Sequence, residues 1–337
     1  MNPLPPDARL LAALRAAQLH LSTSELAAAA AILPGELPGR LEAVRQAGFD
    51  VELRPGFGYR LIASPDRLVG DDIRARLGLS TLVREIVVFQ ETASTNDAAC
   101  RIGQNGAPGG LVVLAESQTA GRGRFGRRWD SPPHCGVWMS LLLRPEMPFA
   151  RWPRVTTWAA AAIARAVEPL VPGHILQVKW PNDVLLDGRK AAGILMETGT
   201  DLRGDAFAVL GIGINANQAA GDFPPELADR ACSLGMVRGV PVDRAALATS
   251  ILRELELSLP TLLHEFPTLV AEVAAQSSVL SRWIEVQVGN ETVSGLAVSL
   301  DEEGHLLLQT SDGEVRMLTG GEVTLGYGVR NNSSAGI

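Results

Sequence analysis

The sequence predicts an α+β protein of three units: a helical amino-terminal unit closed by a hairpin, a central mixed-sheet domain, and a small carboxy-terminal β-barrel. Three observations carry this expectation. Apolar residues recur at helical spacing as far as Gln46 and then alternate through Ile62. Strand-like apolar runs and helical stretches interleave between residues 83 and 275. From Trp283 onward, short alternating runs are separated by Gly289-Asn290, Glu303-Gly304 and Asp312-Gly313, the turn chemistry of a compact all-β unit.

In chain order, Leu10, Leu11 and Leu14 give the first apolar helical face. Ser22-Thr23-Ser24-Glu25 has capping-box spacing ahead of an Ala-rich helix. A third helix is expected from Leu37 to Gln46, stopped by Gly48. Residues 49–53 and 59–62 then alternate around the turn-rich tip Arg54-Pro55-Gly56-Phe57-Gly58. Three helices and a two-stranded wing outline a winged helix-turn-helix over residues 1–65, and residues 66–82 are expected as a connecting helix. In the central domain, residues 83–275, strands are expected at 111–116, 136–143, 175–180, 192–197 and 206–214. Helices are expected near 95–104, 153–168 and 242–265. Asp187-Gly188 between apolar runs signals a tight hairpin, so the sheet need not be parallel. Residues 280–330 complete the chain's third unit.

At 337 residues the chain is too long for one ordinary core. It is 46% hydrophobic and 20% charged, and no apolar run approaches the roughly 18 residues of a membrane span. The start, Met1-Asn2-Pro3-Leu4-Pro5-Pro6, lacks the order of a secretion signal. Cys100, Cys135 and Cys232 match neither a disulfide framework nor a zinc site, which fits a reducing cytoplasm. A net charge of −7 argues against wholesale nucleic-acid binding.

Only two lysines, Lys179 and Lys190, occur among the 30 lysines and arginines, and both fall in Lys179-Trp180-Pro181-Asn182-Asp183-Val184-Leu185-Leu186-Asp187-Gly188-Arg189-Lys190. A mobile ammonium and a planar guanidinium are not interchangeable, so a chain that writes nearly every cation as Arg points to a chemical role for at least one survivor. Asp183 can meet a ligand, help hold Mg²⁺, or cap its own turn. The densest positive segment is Gly121-Arg122-Gly123-Arg124-Phe125-Gly126-Arg127-Arg128-Trp129. Its glycines allow close backbone approach, and its arginines supply forked donors for phosphate or carboxylate. It lacks the Gly-Lys-Ser/Thr ending of a P-loop. Ser94-Thr95-Asn96-Asp97 reads first as a helix N-cap, a position that also offers unpaired N–H groups to a ligand. Gly211-Ile212-Gly213-Ile214-Asn215-Ala216-Asn217 ends a strand with small residues and two amides, which can read a base edge or merely close a turn.

Taken together and in this order, GRGRFGRRW, KWPNDVLLDGRKAAGIL and GIGIN closely resemble the biotin protein ligases, and the likeness extends over the whole chain. It implies a winged helix of the bifunctional ligase-repressor type, a biotin/lipoate-ligase-like catalytic domain and an SH3-like carboxy-terminal barrel. It also implies the activity: ATP with Mg²⁺ activates biotin to biotinoyl-5'-AMP, and biotin then passes to a lysine of a biotin carboxyl carrier protein, a subunit of acetyl-CoA carboxylase. Carried over by motif, Ser94, Thr95, Asn96 and Gln118 line the biotin end. Gly121, Arg122, Gly123 and Arg124 belong to a loop that folds over biotin and the adenylate. Lys190 meets the carboxylate and α-phosphate, Trp129 packs on the adenine side, and Asn215 contacts the base. Gly193 and Gly211 complete the binding set; Lys190, Arg124 and Asp183 form the catalytic set, with no fixed metal ligands. The resemblance implies a homodimer and a cytoplasmic enzyme. The alternatives are a lipoate or octanoate ligase and a biotin-responsive DNA-binding regulator.

DNA binding is expected to be weak. Residues 1–65 hold six arginines (9, 15, 40, 45, 54, 60) and six acids (7, 25, 36, 42, 50, 52), with Pro38 and Gly39 inside the expected recognition helix. Clustering of Arg40, Arg45, Arg54 and Arg60 on one face would be the way to rescue it.

Overall fold

A computed structural model describes residues 3–325. The amino-terminal unit comprises α1 (Pro6–Ala16), α2 (Thr23–Ala30), α3 (Leu37–Gln46), β1 (Asp50–Arg54) and β2 (Gly58–Ala63). The expected capping box is present: Ser22 Oγ accepts from the Glu25 N–H at 3.2 Å, and Glu25 accepts from the Ser22 N–H at 2.8 Å. Leu10, Leu14, Leu26, Leu37, Leu41 and Phe49 close a separate small core. Pro38 corrects the sequence reading. It lies in the first turn of α3, where a missing N–H costs nothing, so it starts the helix and does not interrupt it.

The connecting helix is shorter than expected. Only α4 (Gly70–Leu77) forms: the chain is still extended at its N-cap Val69, with φ −122° and ψ 121°, and Gly78, at φ 79°, ends it. The helix packs on both α1 and α8 (Arg244–His264), bridging two units.

The central domain is built on β3 (Glu85–Thr92), β4 (Leu111–Gln118), β5 (Gly136–Leu143), β6 (Leu176–Lys179), β7 (Asp183–Leu186), β8 (Arg189–Thr200) and β9 (Ala206–Asn215). They form one mixed sheet in the order β3-β4-β5-β9-β8-β7-β6, with only the β3–β4 pair parallel. The Asp187-Gly188 hairpin is as expected, with φ 50° and 77° at its two turn residues. One face of the sheet carries α6 (Arg154–Val167), α7 (Leu234–Arg238), α8 and α9 (Phe266–Ala275). The other carries α5 (Thr95–Gln104) over Val113, Leu142, Phe207 and Val209. The edge strand β3 was not expected from sequence.

The third unit is a five-stranded antiparallel sheet: β10 (Trp283–Val288), β11 (Glu291–Leu300), β12 (Leu306–Gln309), β13 (Val315–Leu318) and β14 (Glu322–Leu325), in the order β13-β12-β11-β10-β14. Trp180, at the end of β6, is buried in this unit's core and donates to the Gly304 carbonyl at 3.0 Å. Its role is to pin the two units together. Among the described residues no helix is long and apolar enough to cross a membrane.

Candidate active site

The strand period of two explains how the sheet opens a cavity under α5. On β9, Phe207, Val209, Gly211 and Gly213 share the α5 face, while Ala208, Leu210, Ile212 and Ile214 face the main core. The two bulky residues fill space beneath α5, and the two glycines then vacate it. Register extends the vacancy sideways: Gly213 is flanked by Gly193 on β8 and Trp138 on β5, and Gly211 by Leu195 and Ser140.

Trp129 lies on the first of these rows. A Cβ on Gly193 would stand 2.7 Å from its ring and one on Gly213 2.6 Å, so only glycine at both positions admits the indole. Trp138 meets it edge-on at 6.4 Å. Both indole N–H groups are buried without a protein acceptor among the described residues, two donors left over at a ligand-sized site.

The second row holds the polar end. Ser140 Oγ donates to Asn96 Oδ1 at 2.6 Å and lies 2.8 Å from Thr95 Oγ1. Asn96 sits against Gly211, where a Cβ would be 2.3 Å from Oδ1. Ser94 occupies the N-cap position of α5, yet its hydroxyl makes no capping bond; Gln118 Oε1 accepts from the Thr95 N–H at 2.8 Å instead. The expected cap is therefore supplied by a side chain 23 residues away, and the Ser94 hydroxyl stays at the cavity wall.

The glycine/arginine loop crosses the mouth. Arg122 pairs with Asp97 and, at 2.9 Å, with Glu197. Arg124 donates to Asn182 Oδ1 at 3.0 Å and to the Gly321 carbonyl at 3.2 Å, and Arg127 pairs with Glu322. Burial pulls the Arg124 guanidinium down from its ordinary value, partly offset by Asp183 and Glu322. Lys190 Nζ is 2.7 Å from Asp183 Oδ1 and 5.1 Å from the Trp129 ring centre. Lys190 and Arg124 thus bring two cations to one wall.

The structure brings Ser94, Thr95, Asn96, Gln118, Arg122, Gly123, Arg124, Trp129, Lys190, Gly193 and Gly211 to one cavity. Gly121 opens the loop but does not line the cavity, its Cβ position 2.4 Å from the Trp129 carbonyl, and Asp183 pairs with Lys190 at the cavity wall. Asn215 does not line it: its amide donates to the Lys190 carbonyl at 3.3 Å and its oxygen accepts from Gln218 at 3.0 Å. Lys179 stands outside as well, its ammonium pulled down by burial with Lys190 and Arg230 adding to the effect. Asn182, Trp138 and Gly213 line the cavity without having been singled out from sequence. The alternation Phe207-Val209-Gly211-Gly213 was the available signal for Gly213.

A family model described as "Biotin/lipoate A/B protein ligase family" matches residues 88–215, and "Biotin protein ligase C terminal domain" matches residues 282–326. The chain is 36% identical over 287 residues to the bifunctional ligase/repressor BirA of Bacillus subtilis, covering 85% of this chain and 88% of the relative. It is 34% identical over 252 residues to the biotin–[acetyl-CoA-carboxylase] ligase of Mycobacterium tuberculosis, covering 73% and 91% respectively. Among solved structures, the biotin protein ligase from Aquifex aeolicus in complex with biotin and ATP superposes with TM-score 0.61 at 28% identity, over 71% of this chain and 97% of that one.

Proposed function

Because this chain belongs to the biotin protein ligase family, we propose that its cavity binds biotin at the Thr95–Gln118 end and the adenylate beneath the glycine/arginine loop. The protein is an ATP-dependent biotin ligase: it condenses biotin with ATP to biotinoyl-5'-AMP and pyrophosphate. It then transfers biotin to a lysine of a carboxyl carrier protein. The observation that carries the site assignment is the meeting of Lys190, Arg124 and the glycine-floored Trp129 in one cavity.

In the first step a carboxylate attacks an anionic phosphate, so repulsion must be offset before the atoms meet. One cation at 4 Å contributes about 4 kcal/mol at an effective dielectric near 20. Lys190 and Arg124 supply two, held in place beforehand by Asp183 and Asn182. The residues present do not form a site for a resident metal: among the described residues no three metal-ligating side chains converge, and Asp183 is engaged by Lys190. Mg²⁺ enters with the phosphates of ATP, where it offsets their charge. The adenylate is prone to hydrolysis, and a loop tied across the mouth by Arg122, Arg124 and Arg127 excludes water from it.

The test mixes the protein with ATP, Mg²⁺, labelled biotin and a carrier domain. Label is expected on one carrier lysine, and labelled lipoate in place of biotin is expected to give none. Arg124→Gly removes the contacts to Asn182 and Gly321, so the adenylate is expected to escape and label lysines of bystander proteins. Absence of transfer to any competent carrier would refute the enzyme assignment, and unchanged selectivity in Arg124→Gly would refute the closing-loop account.

The carrier is proposed to add a strand at β3, an eight-residue edge with a strand neighbour on one side only. The opposite edge is less open, since the Val178 N–H on β6 already donates to the Gln276 carbonyl. Homodimerisation through the same β3 edge would compete with the carrier.

Three helices followed by the β1–β2 hairpin support the reading of the amino-terminal unit as a winged helix-turn-helix, and the five antiparallel strands of the third unit support that of an SH3-like barrel. Weak DNA binding is supported by where the arginines go. Arg40 pairs with Asp7 at 2.8 Å, Arg45 donates to the Val51 carbonyl at 3.0 Å, and Arg15 is tied to Asp72, which leaves Arg54 and Arg60 as the exposed cations of the hairpin. The exposed positions of α3 are Pro38, Gly39, Glu42, Ala43 and Gln46, none of them cationic. Few phosphates would be neutralised, so affinity is expected at about 10⁻⁴ to 10⁻⁶ M at physiological salt. Anisotropy titrations with duplex DNA, with and without biotin and ATP, check this. A nanomolar footprint strengthened by biotin and ATP would restore a repressor.

A further inference from the structure

A ligase that makes biotinoyl-5'-AMP holds an acylating agent, and its own nucleophiles compete with the carrier. An amine attacks the adenylate at the acyl carbon: the C–N bond forms, the bond from that carbon to the phosphate oxygen breaks, AMP departs and the nitrogen loses a proton. Only a neutral amine carries the lone pair this requires. A guanidinium stays charged at any working pH and cannot react in this way. Lysine and arginine therefore offer a phosphate the same charge, but only lysine offers the adenylate an acceptor.

The chain withholds such acceptors. Two of its 30 lysines and arginines are lysines, and neither is exposed. The Lys190 ammonium is paired with Asp183 at 2.7 Å, and Lys179 is half-buried at the end of β6, outside the cavity. The thiols are restrained as well. Burial pushes Cys135 and Cys232 up to about 11 and raises Cys100 too, so few thiolates form near neutrality.

At the mouth of the cavity the choice of cation matters most. The glycine/arginine loop doubles back on itself there: the Gly123 N–H donates to the Arg127 carbonyl at 2.7 Å, and Arg122 bridges to Arg128 in antiparallel fashion. Arg122 and Gly123 line the cavity, so positions 127 and 128 stand one strand spacing, about 5 Å, from its wall. Their side chains are 63% and 73% exposed, the first paired with Glu322 and the second with Asp130 at 3.2 Å. A lysine at either place would supply the same charge with an amine in reach of the adenylate.

We propose that Arg127 and Arg128 are specificity-determining residues. They give the mouth positive charge without an acylatable nitrogen, so the carrier's lysine is the only amine presented to the adenylate. Selectivity is gained by removing a competitor that no contact to the carrier can outbid, because a tethered amine is always at high local concentration.

The inference rests on the ligase reading of the cavity, and the experiment keeps the two apart. The full chain is incubated with ATP, Mg²⁺ and labelled biotin without carrier, and self-label is located by peptide mass mapping. Transfer to a carrier domain is measured in parallel. Wild type is expected to carry no label on Lys179 or Lys190. Arg128→Lys is expected to label itself at residue 128 at a rate independent of protein concentration. That rate is expected to exceed labelling at residue 60 in Arg60→Lys by roughly tenfold or more. Arg60 is exposed on β2, in a unit that contributes nothing to the cavity wall. Should Arg128→Lys fail to fold or to modify the carrier, Arg127→Lys is the second probe, with the same expectation. Arg124→Gly, which lets the adenylate out, is expected to label bystander lysines and leave the ligase unmarked. Label on Lys179 or Lys190 in wild type or Arg124→Gly would overturn the proposal. So would equal labelling of Arg128→Lys and Arg60→Lys, or an Arg128→Lys chain that modifies the carrier and never itself. A wild-type chain that labels no carrier would instead remove the ligase reading.

Discussion

Replacing Lys190 by arginine is expected to slow adenylate formation on the order of 10² or more, although the charge is retained. The ammonium occupies a narrow place. Its nitrogen is 2.7 Å from Asp183 Oδ1 and 5.1 Å from the centre of the Trp129 ring, and a Cβ on Gly193 would stand 3.2 Å from its Cε. A planar guanidinium is broader and reaches further, so it would either part from Asp183 or lift Trp129 off the glycines. Lys179→Arg is the paired control. That residue sits at the end of β6 outside the cavity, and the substitution is expected to be milder. Single-turnover release of pyrophosphate from biotin and ATP measures both. Equal tolerance of the two changes would mean that the ammonium's shape is irrelevant and the two lysines are incidental.

The contrast between the lysines marks what the sequence could reveal. Their scarcity singled out one stretch of twelve residues, but composition could not separate them; the β7–β8 hairpin does, by pairing Lys190 with Leu185 so that its ammonium reaches Asp183 at the cavity wall. Elements with strong local signals were legible: the Ser22–Glu25 capping box, the Asp187-Gly188 turn, and α5, α6 and α8 by their apolar faces. What escaped needed partners distant in sequence. Residues 85–92 are half-buried at an edge, so neither clean alternation nor a fully apolar run announced β3. Ser94 carries the right residue type for a cap, yet Gln118 does the capping. The arginines of the amino-terminal unit were countable, but the pairing of Arg40, Arg45 and Arg15 with Asp7, Val51 and Asp72 belongs to packing. Asn215 reads as a ligand amide from its motif, whereas its hydrogen bonds run to Lys190 and Gln218.

Gly213→Ala is expected to reduce kcat/KM for ATP on the order of 10², the scale of misplacing a binding group by about 1 Å. The added Cβ would stand 2.6 Å from Cε2 and 2.8 Å from Nε1 of Trp129, closer than carbon atoms approach. A rigid indole cannot bend out of the way, and Trp138, edge-on at 6.4 Å, blocks one direction of retreat. The ring must rise into the space assigned to the adenine. Biotin binding is expected to stay within a few-fold, because Thr95, Gln118 and Ser131 hold their own hydrogen bonds away from this glycine. Gly221→Ala, which meets nothing within 4 Å, is the control. Steady-state kinetics with ATP varied at saturating biotin, then the reverse, separate the two ends of the cavity. A KM for ATP within twofold of wild type would show that Trp129 is not the platform for the base. Trp129→Phe in the Gly213→Ala background discriminates further. The smaller ring has no Nε1 edge to collide with the new methyl, so part of the lost ATP affinity is expected to return. Losses that multiply would place the effect of Gly213 in the strand backbone and not in the indole above it.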